Sequence, residues 1–416
     1  MWVWRLFAES AGGTPVATRS PHVLPGFLCA DTPRRCIGLR FRVLSAAEDV
    51  KHTYYPSLDG LRTVAVGIVL AAHGGVPYFR SGGTGVDIFF VLSGFLITTI
   101  LSTEWTRTGA ISFRNFYARR FLRLAPALVL TCAFVGAGMV WLEGRFPGTE
   151  IALVLSYTSN WAQAFYNIHL TWLNHCWSLS IEEQFYLLWP IVIVALERTR
   201  RSPVAKARLL LAGAVVIAIY RASRVGIYPD ERINFGLDTR MDTLMTGAAL
   251  AYFVQSLPGR RLPETASRWL GRFLAPGALL GIIAVIHTVT WYSPWMGWIG
   301  YVLVAGAAGL VVADLVAGSH SLLARPLAWG PMVFVGKISY GLYLIHLPVF
   351  YIVEKLIPTA TLSVRLGWKL AISLSLAAAS YYLVERRFLR LKGRFEESKG
   401  TAELSTLSAD CVDGRG

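Results

Sequence analysis

Arg62 and His73 stand eleven residues apart in LDGLRTVAVGIVLAAH, at opposite ends of an otherwise apolar run. On a helix that spacing is about 16 Å and close to three turns, so guanidinium and imidazole share a face at different depths. The chain has only eight histidines in 416 residues, and imidazole is the side chain best suited to take a proton near neutral pH. Gly74 and Gly75 follow, so a second reading has His73 simply marking a helix end. Asp87 opens the next apolar run, TGVDIFFVLSGFLITT, across a short loop. It is placed to hold the imidazole tautomer and stabilise the protonated ring, and it is equally suited to capping a helix.

Four other segments carry polar groups where an apolar chain would not need them. In HCWSLSIEEQFYLLWP, the adjacent Glu182 and Glu183 cannot point at one face. At least one therefore faces an interior, where it holds an arginine, moves a proton or completes a buried network. Trp177, Ser178 and Ser180 just before them cap that helix or line a hydroxyl-rich acceptor site. FGLDTRMDTLMTGAALA places Asp238, Arg240 and Asp242 on alternate residues, as an ion-pair network or as polar substrate contacts. In GKISYGLYLIHLPVF, Tyr340, Tyr343 and His346 follow at i, i+3 and i+6, with Pro348 disturbing the backbone just beyond; His346 is either a site residue or a packed one with a single hydrogen bond. Arg119, Arg120 and Arg123 alternate with aromatic residues in FRNFYARRFLRLAP, an amphipathic interfacial helix able to bind lipid headgroups or a phosphate-rich co-substrate.

The elements that position these groups belong in lipid. Hydrophobic residues make up 54% of the chain and charged ones 16%, and the mean hydropathy is +0.48. The net charge of +15 is gathered in short segments between apolar runs and forms no continuous basic face, so it argues for a positive-inside membrane protein and against a nucleic-acid binder. Eleven apolar candidates occur, near 61–78, 85–102, 124–142, 149–167, 177–196, 207–222, 235–255, 273–290, 296–317, 333–354 and 366–384. The basic segments 106–123, 197–208, 258–268 and the tail beyond Glu385 should all be cytoplasmic, so the chain crosses an even number of times between 123 and 197. The polar, aromatic stretch 149–167 is the weakest there and is read as re-entrant or interfacial.

The expectation is an all-α, polytopic integral membrane bundle of about ten transmembrane helices plus that segment, multi-pass in the cytoplasmic membrane of a bacterium with both termini inside. Residues 1–53 read as a basic, poorly ordered lead-in whose opening MWVWRLF is too short to span, 54–391 as the membrane domain and 392–416 as a flexible tail. Cys29, Cys36, Cys132, Cys176 and Cys411 have no paired spacing, so neither a metal site nor a disulfide framework is expected.

In order and completeness these motifs resemble the membrane-bound acyltransferase family three, which includes bacterial O-antigen, exopolysaccharide, Nod-factor and macrolide O-acyltransferases. Leu58 to Arg62 with His73 match its opening element, Asp87 to Leu96 the next, and Arg119, Arg120 and Arg123 its cytoplasmic arginines. Trp177 to Tyr186, Ile338 to Pro348 and Val384 to Arg386 match the remaining ones, with Arg387 where proline is common. The resemblance implies that His73 is catalytic and Arg62 required, with Asp87, Glu182 and Glu183 supporting them. It places acyl-CoA near Arg119, Arg120 and Arg123; the candidate acceptor contacts, Trp177, Asp238, Arg240, Tyr340 and His346, come from the residues themselves. No permanently bound cofactor is expected; acyl-CoA, most commonly acetyl-CoA, is a co-substrate. The acceptor would be a carbohydrate, a lipid-linked glycan or a glycosylated small molecule, and the short tail implies a stand-alone transferase. His73 would act as general base, with Arg62, Tyr340 or Trp177 as oxyanion donors, in direct transfer or through an acyl-histidine. A transporter or flippase of lipid-linked sugars, or a non-catalytic sensor of the same fold, are the competing classes.

Overall fold

The computed structural model describes residues 54–391, and every regular element among them is helical. The expectations for residues 1–53, including MWVWRLF, and for 392–416 lie outside the described residues. The order is α1 (Pro56–His73), α2 (Gly83–Thr108), α3 (Phe113–Glu143), α4 (Gly148–Leu155), α5 (Ser159–Tyr166), α6 (Trp177–Arg198), α7 (Pro203–Arg224), α8 (Asp230–Phe235) and α9 (Leu237–Ser256). There follow α10 (Glu264–Trp269), α11 (Ala275–Thr288), α12 (Tyr301–Ala317), α13 (Ala324–Leu327), α14 (Gly330–Leu356), α15 (Leu362–Ser380) and α16 (Arg386–Leu391). A π turn at Leu270–Leu274 makes α10 and α11 one rod, and another at Tyr381–Glu385 extends α15 into α16.

Eight of the rods are long and apolar enough to cross a membrane. The other two long helices, α1 and α9, are the ones that carry Asp59 with Arg62 and Asp238 with Arg240 and Asp242. These are the ten helices expected from the apolar runs. α4 and α5 have eight residues each, about 12 Å of rise apiece, too short to span. Their junction, with Tyr157 at a positive φ of 54°, lies along α6, where Gln184 Nε2 donates to the Tyr157 carbonyl at 2.7 Å and to Asn160 Oδ1 at 2.9 Å. The two short helices pack against α6 on the side of the bundle, with Ser159, Asn160 and Gln163 buried. The Tyr157 carbonyl at the break between them is thereby satisfied by protein.

α2 and α14 are the most buried of the apolar rods and α7 and α15 the least, so the former are central and the latter form the rim. Close approach at the centre is made by glycine. A Cβ on Gly94 of α2 would lie 1.9 Å from the Leu244 carbonyl oxygen of α9, and one on Gly247 would lie 2.0 Å from that of Val91. The same device joins α1 to the α13–α14 corner: Gly60 would meet the Leu327 oxygen at 1.8 Å and Gly336 the Asp59 oxygen at 1.9 Å. α1 is thereby pressed on α14 along its length, which brings His73 to the level of His346.

Candidate active site

Pro348 sits inside α14 and has no amide hydrogen, so the Leu344 carbonyl four residues earlier lacks its helical donor. His175, in the 3₁₀ turn Asn174–Cys176 leading into α6, supplies the substitute through Nε2 at 3.1 Å. Tyr343 strengthens that junction, its hydroxyl donating to the His175 carbonyl at 2.9 Å and lying 2.7 Å from Ser178 Oγ. His346, with no exposed surface, is flanked by two imidazoles. Its ring stands edge-on to His175 at 4.9 Å and stacks on His73 at 5.1 Å. His73 Nδ1 and His346 Nε2 are 2.9 Å apart, and His346 Nδ1 is 2.5 Å from the Tyr343 carbonyl oxygen. His73 itself remains exposed. Three helices therefore converge on one accessible imidazole backed by buried polar groups.

Asp87 does not hold His73, contrary to the expectation from their short loop. Its carboxylate is fully buried and ion-paired with Arg240 of α9. The reason is geometric: the glycine-mediated crossing of α2 and α9 sets the two charges face to face, and an unpaired carboxylate there would be far costlier than a paired one. The Arg240 guanidinium lies over Tyr301 at 3.6 Å and Trp291 at 5.1 Å, with Phe90 and Trp177 about it, so Trp177 packs in an aromatic cage. Asp242 pairs with Arg221 of α7 at 2.6 Å, and Asp238 holds Arg232 of α8 through two contacts at 2.9 and 2.5 Å. The acids and arginine of α9 thus separate into three pairs with three different helices. Arg221 gave no sequence signal, being one of two arginines at the end of an apolar run.

At the other end of α1 lies a second polar cluster. Arg62 Nη1 donates to Asp59 at 3.1 Å. Ser93, beside Gly94 on α2, donates to Glu182 at 2.7 Å. Arg62, Arg120 and Arg123 are all within electrostatic range of Glu182, and Arg120 lies 4.0 Å over the Tyr186 ring. Glu183, on the neighbouring face of α6, lies within electrostatic range of Tyr157 and Tyr340 as well as of Arg120. Arg119 turns to Glu104 of α2 at 3.4 Å. Arg62 is about 16 Å along α1 from His73, so it cannot donate to an oxyanion forming beside that ring. Tyr340 gives its hydroxyl hydrogen to the Leu124 carbonyl at 3.1 Å.

A conserved-domain description fits this arrangement: the family model for the acyltransferase domain matches residues 55–384. The chain belongs to acyltransferase family three. Among its relatives in that family, the peptidoglycan O-acetyltransferase OatA of Listeria monocytogenes is 32% identical over 311 residues, covering 71% of this chain and 49% of OatA. YrhL of Bacillus subtilis, provisionally named a peptidoglycan O-acetyltransferase, is 30% identical over 391 residues, covering 86% of this chain and 60% of YrhL. A Staphylococcus aureus protein provisionally named an O-acetyltransferase is 30% identical over 353 residues, covering 81% of this chain and 58% of its own. The chain thus spans about half to three-fifths of the length of the curated relatives it matches. No solved structure matches it.

His175 is the residue that sequence reading passed over. Its signal was indirect: Pro348 implies a vacant carbonyl at Leu344, and a donor had to come from elsewhere in the chain.

Proposed function

We propose that this family-three chain is an O-acyltransferase that carries an acyl group, foremost acetyl from acetyl-CoA, to a hydroxyl of an envelope carbohydrate on the far side of the cytoplasmic membrane. The names of the relatives support peptidoglycan as the first acceptor to try. The observation that carries the reading is the placement of an exposed imidazole, His73, at one end of α1 and a cluster of three guanidinium groups, Arg62, Arg120 and Arg123, near the other end. Arginine in such number suits the phosphates of coenzyme A. With the basic end cytoplasmic, the donor's nucleotide stays on the wet side while the slender pantetheine arm reaches toward His73.

His73 takes the proton of the acceptor hydroxyl as that oxygen bonds to the thioester carbonyl carbon. The tetrahedral intermediate collapses with cleavage of the carbon–sulfur bond, the imidazolium returns its proton to the departing thiolate, and the products are an ester and free CoA thiol. Glu182, held by Ser93 among the arginines, orders the donor end.

The test is release of CoA thiol by membranes containing the protein, with acetyl-CoA and cell-wall glycan, glycolipid or glycosylated metabolite as acceptors, and mass spectrometry of the product. Thiol release that depends on His73, with a product heavier by one acetyl group, is the expected result. Movement of acceptor across the membrane without thiol release would replace this reading with transport.

A further inference from the structure

The three-histidine cluster permits one arrangement of hydrogens. A backbone carbonyl can only accept, so His346 Nδ1, at 2.5 Å from the Tyr343 oxygen, carries that ring's hydrogen. A neutral imidazole has a single N–H, which leaves His346 Nε2 as an acceptor. His73 Nδ1 lies 2.9 Å from it and must therefore hold the His73 hydrogen. The remaining nitrogen of His73, Nε2, then bears the free lone pair. His175 does not compete, because its Nε2–H is committed to the Leu344 carbonyl.

We infer that His346 is a positioning residue: it locks His73 in the Nδ1–H tautomer and so makes Nε2 the atom that takes the acceptor proton. This rests on the acyl-transfer reading above only for its kinetic consequence. A histidine in water prefers the other tautomer, with hydrogen on Nε2, so without His346 the lone pair turns toward Nδ1, beside the His73 backbone. His346 stands where a carboxylate stands in a Ser-His-Asp site, and Tyr343 and Pro348 stand behind it. During a turnover His73 Nε2 gains the hydroxyl proton and returns it to the thiolate, while the Nδ1–H bond to His346 is kept throughout. Both rings end as they began.

Two readouts test the lock. In membranes containing the protein with ¹³C-labelled histidine, ring-carbon shifts distinguish the tautomers, and the His73 signal is identified by its loss in His73→Gln. The expected state is Nδ1–H in the unaltered protein and in His346→Gln, whose amide oxygen accepts, and Nε2–H in His346→Phe, which keeps a ring but offers no acceptor. An Nε2–H His73 in the unaltered protein overturns the proposal whatever the activity. In the thiol-release assay, His346→Phe should lower kcat on the order of 100-fold, the usual worth of a positioned base, with the KM for acyl-CoA unchanged and His346→Gln recovering most of the loss. Equal loss in the Gln and Phe variants at unchanged thermal stability would reduce His346 to packing and overturn the inference. If the tautomer responds as expected while no acyl transfer occurs, the lock stands and the acyltransferase reading fails.

Discussion

At the residue scale, burial and access separate the charged groups that hold the bundle together from those free to do chemistry. Asp87 and Arg240 are both fully buried, caged by aromatic rings, and removing one partner leaves a bare charge. Asp87→Ala should therefore destabilise the protein by about 3–5 kcal/mol, read by thermal unfolding in detergent. The double variant Asp87→Leu with Arg240→Met should recover most of that loss, which a carboxylate serving His73 would not allow at unchanged turnover. Arg120 and Arg123 belong to the other class. Substituting either by alanine should raise the KM for acyl-CoA roughly tenfold, about 1.4 kcal/mol of binding, with a small change in kcat; a fall in kcat alone would place the donor elsewhere. The motif residues were legible in the sequence as candidates for chemistry, but their partners were not. Adjacent spacing suggested that Asp87 serves His73, whereas the partner of His73 is 273 positions away on α14.

At the element scale, glycine and proline decide which helices meet. Gly94→Ala and Gly247→Ala each put a methyl group into a backbone carbonyl at the α2–α9 crossing, so each should lower the unfolding temperature by several degrees, as overpacking of about 1–3 kcal/mol does. Alanine at Gly67, which has open space about it, is the control and should leave stability unchanged. Pro348 acts in the opposite sense, by withholding a hydrogen. In Pro348→Ala the helix reclaims the Leu344 carbonyl and His175 loses its acceptor. Amides of the 3₁₀ turn before α6 should then exchange faster with solvent, while those of α14 near Leu347 become more protected. Helix positions were readable from apolar runs because each must cover the hydrocarbon layer with internally bonded backbone. The two short helices α4 and α5 were readable as non-spanning for the complementary reason, since a polar, aromatic stretch between two basic segments has no favourable way across.

At the scale of the whole molecule, the long helices carry the arginine cluster at one end and the histidines at the other. On the proposed orientation, which follows the positive-inside pattern, the arginine end faces the cytoplasm. Cysteine substitution with a membrane-impermeant maleimide checks this in intact cells: Tyr78→Cys, in the exposed loop after His73, should label from outside. Arg201→Cys, between α6 and α7, should label only after the membrane is opened. The reverse pattern would put the histidines on the cytoplasmic side and remove the need for a donor to reach across the bundle.

The sequence alone determined the apolar surroundings this chain folds in, the number and order of its long helices and the non-spanning character of 149–167, and it marked the candidate residues for proton exchange and phosphate binding. These follow from local physics, because hydropathy, charge bias and residue chemistry act on segments of about twenty residues or fewer. Only the tertiary structure decided which polar group meets which. It sent Asp87 to Arg240, split Asp238, Arg240 and Asp242 among three helices, joined Glu182 to Ser93 among the arginines, and set His346 against His73 with His175 behind it. Pairings of that kind depend on where helix backbones can approach and which carbonyls are left without donors, and both are properties of the packed bundle that no single segment carries.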